Sequence, residues 1–304
     1  MPELPEVQTY LETLAPRVVG EPLERVRIRS PSLLRTYDPP IAAIEGRPVT
    51  RLFRMGKRIV WELDRGHEPA PLFAVFHLML TGRFRWKSPG AAVPRKVGLA
   101  AFDFPRGALL LTEAGTKKRA SLHVVVGEAG LEPFERGGLN VLEASLEAFT
   151  AAIGRENRTL KRALTDPRIL DGIGNAHSDE ILHRARLSPT QRTRNLGRSE
   201  VAALYEAARE ELREWIERRR EEAEGEVPAR LSASHPAMAV HGRYGEPCPR
   251  CGDPVQRVRY AATETNYCPT CQTGGRLLAD RALSRLLGDD WPRTLEELED
   301  RLGR

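Results

Sequence analysis

Met1-Pro2-Glu3-Leu4-Pro5-Glu6-Val7 opens the chain, and the way this stretch is read decides what the rest must build. Two carboxylates within six residues, with no apolar run after a basic flank, exclude a secretory signal. Pro5 suits the first turn of a helix, where its missing N–H costs nothing, and Val7, Tyr10, Leu11 and Leu14 recur at helical spacing. A small residue at position 2 permits removal of Met1, which would leave Pro2 as a free secondary amine. That amine would stand just ahead of a helix N-terminus, whose partial positive charge disfavours the protonated form. A secondary amine attacking a sugar aldehyde carbon gives a charged iminium, and Glu3 beside it is placed to move protons. Taken alone, the stretch reads first as a capped helix start. The remaining chain has to decide.

Past this helix, Arg25 to Arg29 alternates polar and apolar residues at period two, as a strand with one buried face should. Val49 to Phe53, Arg58 to Leu63, Leu72 to Leu80, Val97 to Phe104, Ala108 to Glu113 and Ala120 to Val126 follow in the same manner. Turn signals at Met55-Gly56, Thr81-Gly82 and Pro105-Arg106-Gly107 separate them. Short strands in hairpin order behind one helix predict an antiparallel β-sandwich or barrel over 1–130. From Leu139 the period turns helical, and the apolar spacing predicts a helix from there to Gly154. Further helices are expected over Thr159 to Thr165, Ser178 to Ala185 and Ser199 to Arg220. The helical region spans 139–226, and the charged tract Arg218 to Glu226 reads as a solvated helix end. A mobile connector is expected over 227–240, a cysteine-bearing module over 241–275 and a helical extension over 276–304. The extension resumes helical spacing from Leu277 to Leu286 and again from Leu295 to Leu302. The architecture is thus multidomain, mixing α and β.

A chain of 304 residues with 40% hydrophobic content can bury about two cores. A formal net charge of +5 favours a polyanionic partner without requiring one. Apolar runs fall short of the roughly 20 residues needed to cross a bilayer, so no membrane partner is expected. All four cysteines lie between Cys248 and Cys271, which points to a reducing compartment and a metal in place of disulfides.

Cys248-Pro249-Arg250-Cys251 and Cys268-Pro269-Thr270-Cys271 are two C-x2-C pairs separated by sixteen residues. Each pair sets two thiolates on one tight turn, and four thiolates close a tetrahedron around one structural Zn2+ with no open position for catalysis. Val255 to Tyr267 is strand-like enough to join the turns as a hairpin, displaying Arg257, Arg259, Thr263 and Asn266. Gly172-Ile173-Gly174-Asn175-Ala176-His177 places close glycines in an inter-helix turn, where backbone N–H groups can approach a phosphate and Asn175 adds an amide. No strand precedes it and a third glycine is missing, so it is no dinucleotide fingerprint. Lys161 lies one short helix upstream. Lys57 follows Met55-Gly56 at a hairpin tip, and Lys117-Lys118-Arg119 forms a cationic loop suited to phosphate. Each of these is also compatible with an ordinary solvated surface. His77, in an apolar run, reads as a core histidine.

Together these residues resemble the formamidopyrimidine-DNA glycosylase and endonuclease VIII family of base-excision repair enzymes. The resemblance rests on Met1 to Val7, Gly56-Lys57, Gly172 to Asn175 and the four-cysteine ribbon, in that order, and covers residues 1 to about 272. It implies an N-terminal β-sandwich, a helix–two-turn–helix domain and a zinc finger that hold damaged double-stranded DNA between them. By the same likeness Pro2 is the nucleophile that displaces the base and forms a Schiff base with deoxyribose. Glu3 is the general acid, Glu6 supports the DNA-bound site, and Lys57 contacts phosphate and lesion. Lys161 and Asn175 hold phosphates beside the flipped nucleotide. The iminium acidifies the adjacent C–H, so β-elimination follows base removal, and flipping exposes the sugar carbon. The chain departs from the family at His177 (a tyrosine there) and at Thr263, where the hairpin tip carries arginine. Leu80 stands for a methionine, and Lys117-Lys118-Arg119 occupies a loop that elsewhere carries arginine and phenylalanine. The likeness further implies a bacterial-type cytoplasmic monomer, associated with the nucleoid through DNA. A second reading keeps the scaffold and makes it a non-catalytic or monofunctional binder of damaged DNA.

Overall fold

The computed structural model describes residues 1–66, 69–260, 263–279, 286 and 288–302. Two units form: Met1–Arg136 with Trp215–Ala233, and Gly137–Glu214 with Ser234–Arg304.

In the first unit, α1 (Leu4–Val18) buries Leu4, Val7, Tyr10, Leu14 and Val18, the stripe read from the sequence. Its start is a capping box, with Glu3 as N-cap and the Glu6 side chain accepting from the Glu3 N–H at 2.9 Å. The strands are β1 (Arg25–Ile28), β2 (Val49–Met55), β3 (Arg58–Leu63), β4 (Leu72–His77), β5 (Gly82–Lys87), β6 (Gly98–Phe104), β7 (Gly107–Glu113) and β8 (Ser121–Val126). They form two four-stranded antiparallel sheets, ordered β2-β3-β4-β8 and β1-β6-β7-β5. Inward residues of both sheets and α1 share one core, in which Trp61 lies 4.7 Å from Phe76 and 5.4 Å from Phe102 between ring centroids.

β5 is the strand that the pattern reading lacks. Arg83, Arg85 and Lys87 alternate with Phe84 and Trp86, and the segment pairs residue for residue with β7 from Gly82–Glu113 to Lys87–Ala108. Gly82 at its head is obligatory for steric reasons, since a Cβ there would sit 2.2 Å from the Leu78 carbonyl oxygen.

The second unit contains α2 (Leu146–Gly154), α3 (Leu160–Thr165), α4 (Asn175–Arg184) and most of α5 (Arg198–Ala223). The ribbon strands β9 (Gln256–Tyr260) and β10 (Thr263–Tyr267), α6 (Pro269–Thr273) and α7 (Leu295–Leu302) complete it. α2 begins later than its apolar spacing suggests. Leu139 is drawn into a bridge with Leu170, and the Ser145 hydroxyl caps the helix by accepting from the Ala148 N–H at 3.2 Å. α4 begins earlier, so Asn175 belongs to its first turn. The helical spacing at Leu277 to Leu286 falls mainly on residues outside the described ones, and 277–279 are not helical.

Two readings are corrected by burial. The connector is anchored: Leu231 and Val227 pack on the sandwich core, and Met238 and Val240 are buried in the second unit. The tract at Arg218 to Glu226 is not wholly solvated either. Arg219 is 5% exposed, and its Nε lies 3.2 Å from Glu6 Oε1. Both partners are desolvated, so removing one leaves a buried charge without compensation. Arg219→Ala is expected to cost about 3 kcal/mol, read as a lowered urea midpoint, and Glu6→Gln in the same background should recover part of it. Among the described residues no helix is long and apolar enough to cross a membrane.

Candidate active site and nucleic-acid interface

The first cluster surrounds the chain start. Pro2 and Glu3 are buried, and the capping box fixes their backbone at the head of α1. The amine of Met1, one residue before Pro2, lies below its ordinary pKa of 8.0, mainly because burial disfavours the charged form. Glu3 and Glu6 oppose this, whereas Arg83 and Lys57 reinforce it. Lys57 and Arg83 therefore stand near enough to act on the amine electrostatically. Lys57 is set by the turn between β2 and β3, where Gly56 has φ 63°. Arg83 is absent from the sequence reading because β5 was; its burial depresses its own pKa, and it donates to Gly82 O at 2.6 Å.

Glu6 is turned into the protein. It is fully buried, with Oε2 holding the Glu3 N–H and Oε1 facing Arg219, so it supports the helix start from beneath. His77 ends β4 and its Nδ1 accepts from the Met79 N–H at 3.0 Å. Burial first, then Arg58 and Lys57, bring its pKa down to about 4, so it is a neutral acceptor near neutral pH.

Two loops of the same unit meet. Leu80, 55% exposed, follows Met79, which has φ 54°. Thr81 links that turn to the cationic loop, since its hydroxyl accepts from the Gly115 N–H at 3.3 Å and lies 3.5 Å from Glu113 Oε1. Buried Glu113 accepts the N–H groups of Arg119 and Ala120 at 2.9 and 3.1 Å. This carboxylate thus takes compensation for its burial from backbone donors, and the loop is pinned at both ends. Of the three loop cations, Lys118 turns inward and donates to Glu113 O, while Lys117 and Arg119 are exposed.

The second cluster lies in the other unit. Lys161 Nζ sits 2.6 Å from both Asn175 O and Asp179 Oδ1, and Asp179 is fully buried. His241 Nδ1 lies 2.8 Å from the other Asp179 oxygen; a carboxylate only accepts, so that nitrogen carries the hydrogen. Lys161 is consequently bound into an internal charge network, with 12% of its side chain exposed. Asn175 Nδ2 donates to Glu264 O at 2.8 Å, joining the glycine turn to β10 next to Thr263. His177 is fully buried with Nδ1 3.4 Å from Glu211 Oε1, which makes it a core residue of α4. Glu180, absent from the sequence reading, accepts the N–H groups of Ala239, Val240 and His241 and locks 239–241 onto α4.

Cys248, Cys251, Cys268 and Cys271 bring four sulfurs within 4.8 Å of one another. The Cys251–Cys268 and Cys248–Cys271 separations are 3.4 and 4.0 Å. Disulfides would need about 2.05 Å, whereas tetrahedral Zn–S bonds of about 2.3 Å set sulfurs roughly 3.8 Å apart. The set fits zinc, and it is closed, so the ion is structural. His183 on α4 places Nε2 3.3 Å from Cys248 Sγ, an outer contact that ties the ribbon to the helix.

A β-sandwich with a buried amine at its start, a helical unit with a glycine turn and a four-thiolate ribbon define a zinc-finger DNA glycosylase of the helix–two-turn–helix type. Residues 1–117 match the formamidopyrimidine-DNA glycosylase N-terminal domain. Residues 138–225 match that enzyme's H2TH domain, and 245–274 the zinc finger found in FPG and IleRS. The formamidopyrimidine-DNA glycosylase of Thermus thermophilus is 35% identical over 288 residues, which cover 90% of this chain and all of that one. Its counterpart in Heliobacterium modesticaldum is 32% identical over 283 residues, covering 90% and 100%. The crystal structure of the Fpg protein from Thermus thermophilus superposes with a TM-score of 0.74 at 33% identity, covering 89% of this chain and 98% of that one. A Lactococcus lactis Fpg bound to DNA containing an abasic site shares the fold, with a TM-score of 0.76 at 22% identity over 89% and 99% of the two chains. The chain belongs to the formamidopyrimidine-DNA glycosylase family.

Proposed function

We propose that this protein is a base-excision DNA glycosylase with abasic-site lyase activity, acting through Pro2 once Met1 is removed. The observation that carries it is the buried start of α1: Pro2 enclosed, Glu3 beside it, and surroundings that lower the pKa of the Met1 amine through burial and two cations. A neutral amine in that position attacks the sugar carbon as the base leaves, with Glu3 supplying the proton that opens the ring. The iminium then makes the neighbouring C–H acidic, and elimination cuts the strand. Residues 1–130 carry this chemistry in our reading, and 139–226 with 241–275 grip damaged double-stranded DNA.

Lys57 is assigned to phosphate near the lesion, Lys117 and Arg119 to the backbone beside Leu80, and Asn175 with Thr263 to phosphate on the ribbon side. Lys118 and Lys161 act indirectly, by shaping the loop and the start of α4. The protein is taken to work as a cytoplasmic monomer, consistent with a family known from bacteria.

Borohydride reduction on abasic-site duplex tests the central step. Correctly processed protein should be trapped covalently, and a failure to form the adduct would leave the monofunctional reading in place. Lys57→Ala should weaken binding to all sequences alike and make the salt slope shallower by about 1, measured by anisotropy titration across salt concentrations.

A further inference from the structure

A cavity of about 630 Å3 opens in the second unit between the start of α3 and the segment before α5. Asn157, Arg158, Thr159, Arg162, Asp166 and Arg192 line it, and Lys161 does not. Three arginines against one aspartate leave these walls at +2. Exposed Arg155, Arg168 and Arg194 extend the positive field around it.

The walls are held in place by a bridge and a set of hydrogen bonds. Thr159 and Arg192 form an antiparallel bridge, which fixes Arg192 opposite the α3 N-cap. Arg192 Nη1 donates to Asn157 O at 3.2 Å, and the Thr193 N–H donates to Arg158 O at 2.8 Å. Asp166 is the single anion of the lining, and it is already saturated. Arg158 Nη1 reaches one oxygen at 2.5 Å, while Arg168 takes both, at 3.0 and 2.7 Å. Arg158 is thereby spent on carboxylates, as Glu156 also accepts from it at 2.6 Å. Arg162 and Arg192 are exposed and line the same cavity.

Pro167 and the aliphatic stems of the long side chains give this cavity apolar surface, and the functional groups set on it are guanidinium, hydroxyl and carboxamide. Planar guanidinium pairs match oxyanions with several acceptor oxygens, phosphate above all. We propose that this cavity is a phosphate-binding site separate from the lesion-processing residues, with Arg162 and Arg192 as its ligands. Two sources present that chemistry: the backbone of a duplex stretch beyond the lesion, or a free polyphosphate. The first would let the protein hold undamaged DNA while the lesion cleft is occupied.

The test uses the full-length, zinc-loaded protein saturated with a short abasic-site duplex. Phenylglyoxal modification of Arg162 and Arg192 is then read by mass spectrometry, with and without inorganic tripolyphosphate or a longer undamaged duplex. Either ligand should slow modification at these two positions at least several-fold and leave Arg213 unaffected. Protection by the long duplex assigns the site to DNA backbone; protection by tripolyphosphate alone assigns it to a small polyanion. Full protection by the short duplex alone would place both arginines in the lesion cleft and overturn a separate site. So would unchanged modification under every ligand. R162A/R192A protein should bind the long duplex with a salt slope shallower by about 2, and should cleave the short duplex as wild type does. The labelling result stands whether or not that variant folds.

Discussion

Glu3→Gln protein is expected to lose base release by roughly a hundred- to ten-thousand-fold, with its fold intact. Glu3 is 2% exposed, and its side chain accepts from the Glu6 backbone in the capping box. Glutamine keeps an acceptor oxygen for that bond, so the helix start survives and only the transferable proton is removed. Thermal unfolding should therefore move little, and base release measured separately from strand cleavage should collapse. Equal base release by wild type and variant would sink the general-acid role. The same assay across pH reports on the amine. With Met1 in place burial lowers the pKa of the Met1 amine from its usual 8.0, and the enclosure of Pro2 acts in the same direction on a Pro2 amine once Met1 is removed. Adduct formation should rise with pH as the Pro2 amine loses its proton, and protein whose intact mass shows Met1 retained should form none.

Stripping the metal is expected to abolish DNA binding by at least about a hundred-fold, because zinc in such a site supplies folding free energy of some 10–16 kcal/mol. The ribbon's own interior is small, though His183, Arg250 and Gln272 also tie it to the α4 region. Two paired strands of five residues and a cluster of Val240, Val255, Cys248 and Cys268 form its interior. A two-stranded hairpin alone is marginal in water. Loss of the ribbon would release the Asn175–Glu264 bond and the 2.9 Å bond from the Gly242 N–H to Asn266 Oδ1, and with them the surface that carries Thr263. Cys268→Ser should reproduce the effect of chelation, with zinc content and affinity falling together. Retained affinity in metal-free protein would show that the helical region grips DNA unaided.

Much of the fold was readable because it is written at short range. Period-two alternation located seven of the eight sandwich strands, and the C-x2-C pairs located the ribbon. β5 escaped although Arg83 to Lys87 alternates at period two, because Thr81-Gly82 ahead of it was read only as a boundary; its pairing with β7 completes the sheet. Within the candidate site, Pro2, Glu3 and Lys57 could be named from sequence because each lies in a compact motif. Arg83, Glu113 and Glu180 carry no motif, and their roles come from partners brought in by packing.

Charged side chains show the division most clearly. The amino-acid order determined that this chain carries Pro2-Glu3 before a helix, a cationic loop, a glycine turn and a four-thiolate ribbon. All of these are local patterns, set by bonds within a few residues. It left open which charges face solvent, because that depends on partners far away along the chain. Lys118 turns to Glu113 and Lys161 to Asp179, while Glu6 is met by Arg219, 213 residues distant. A buried charge must find a partner or several donors to offset its lost hydration, and only the tertiary structure decides which one it finds.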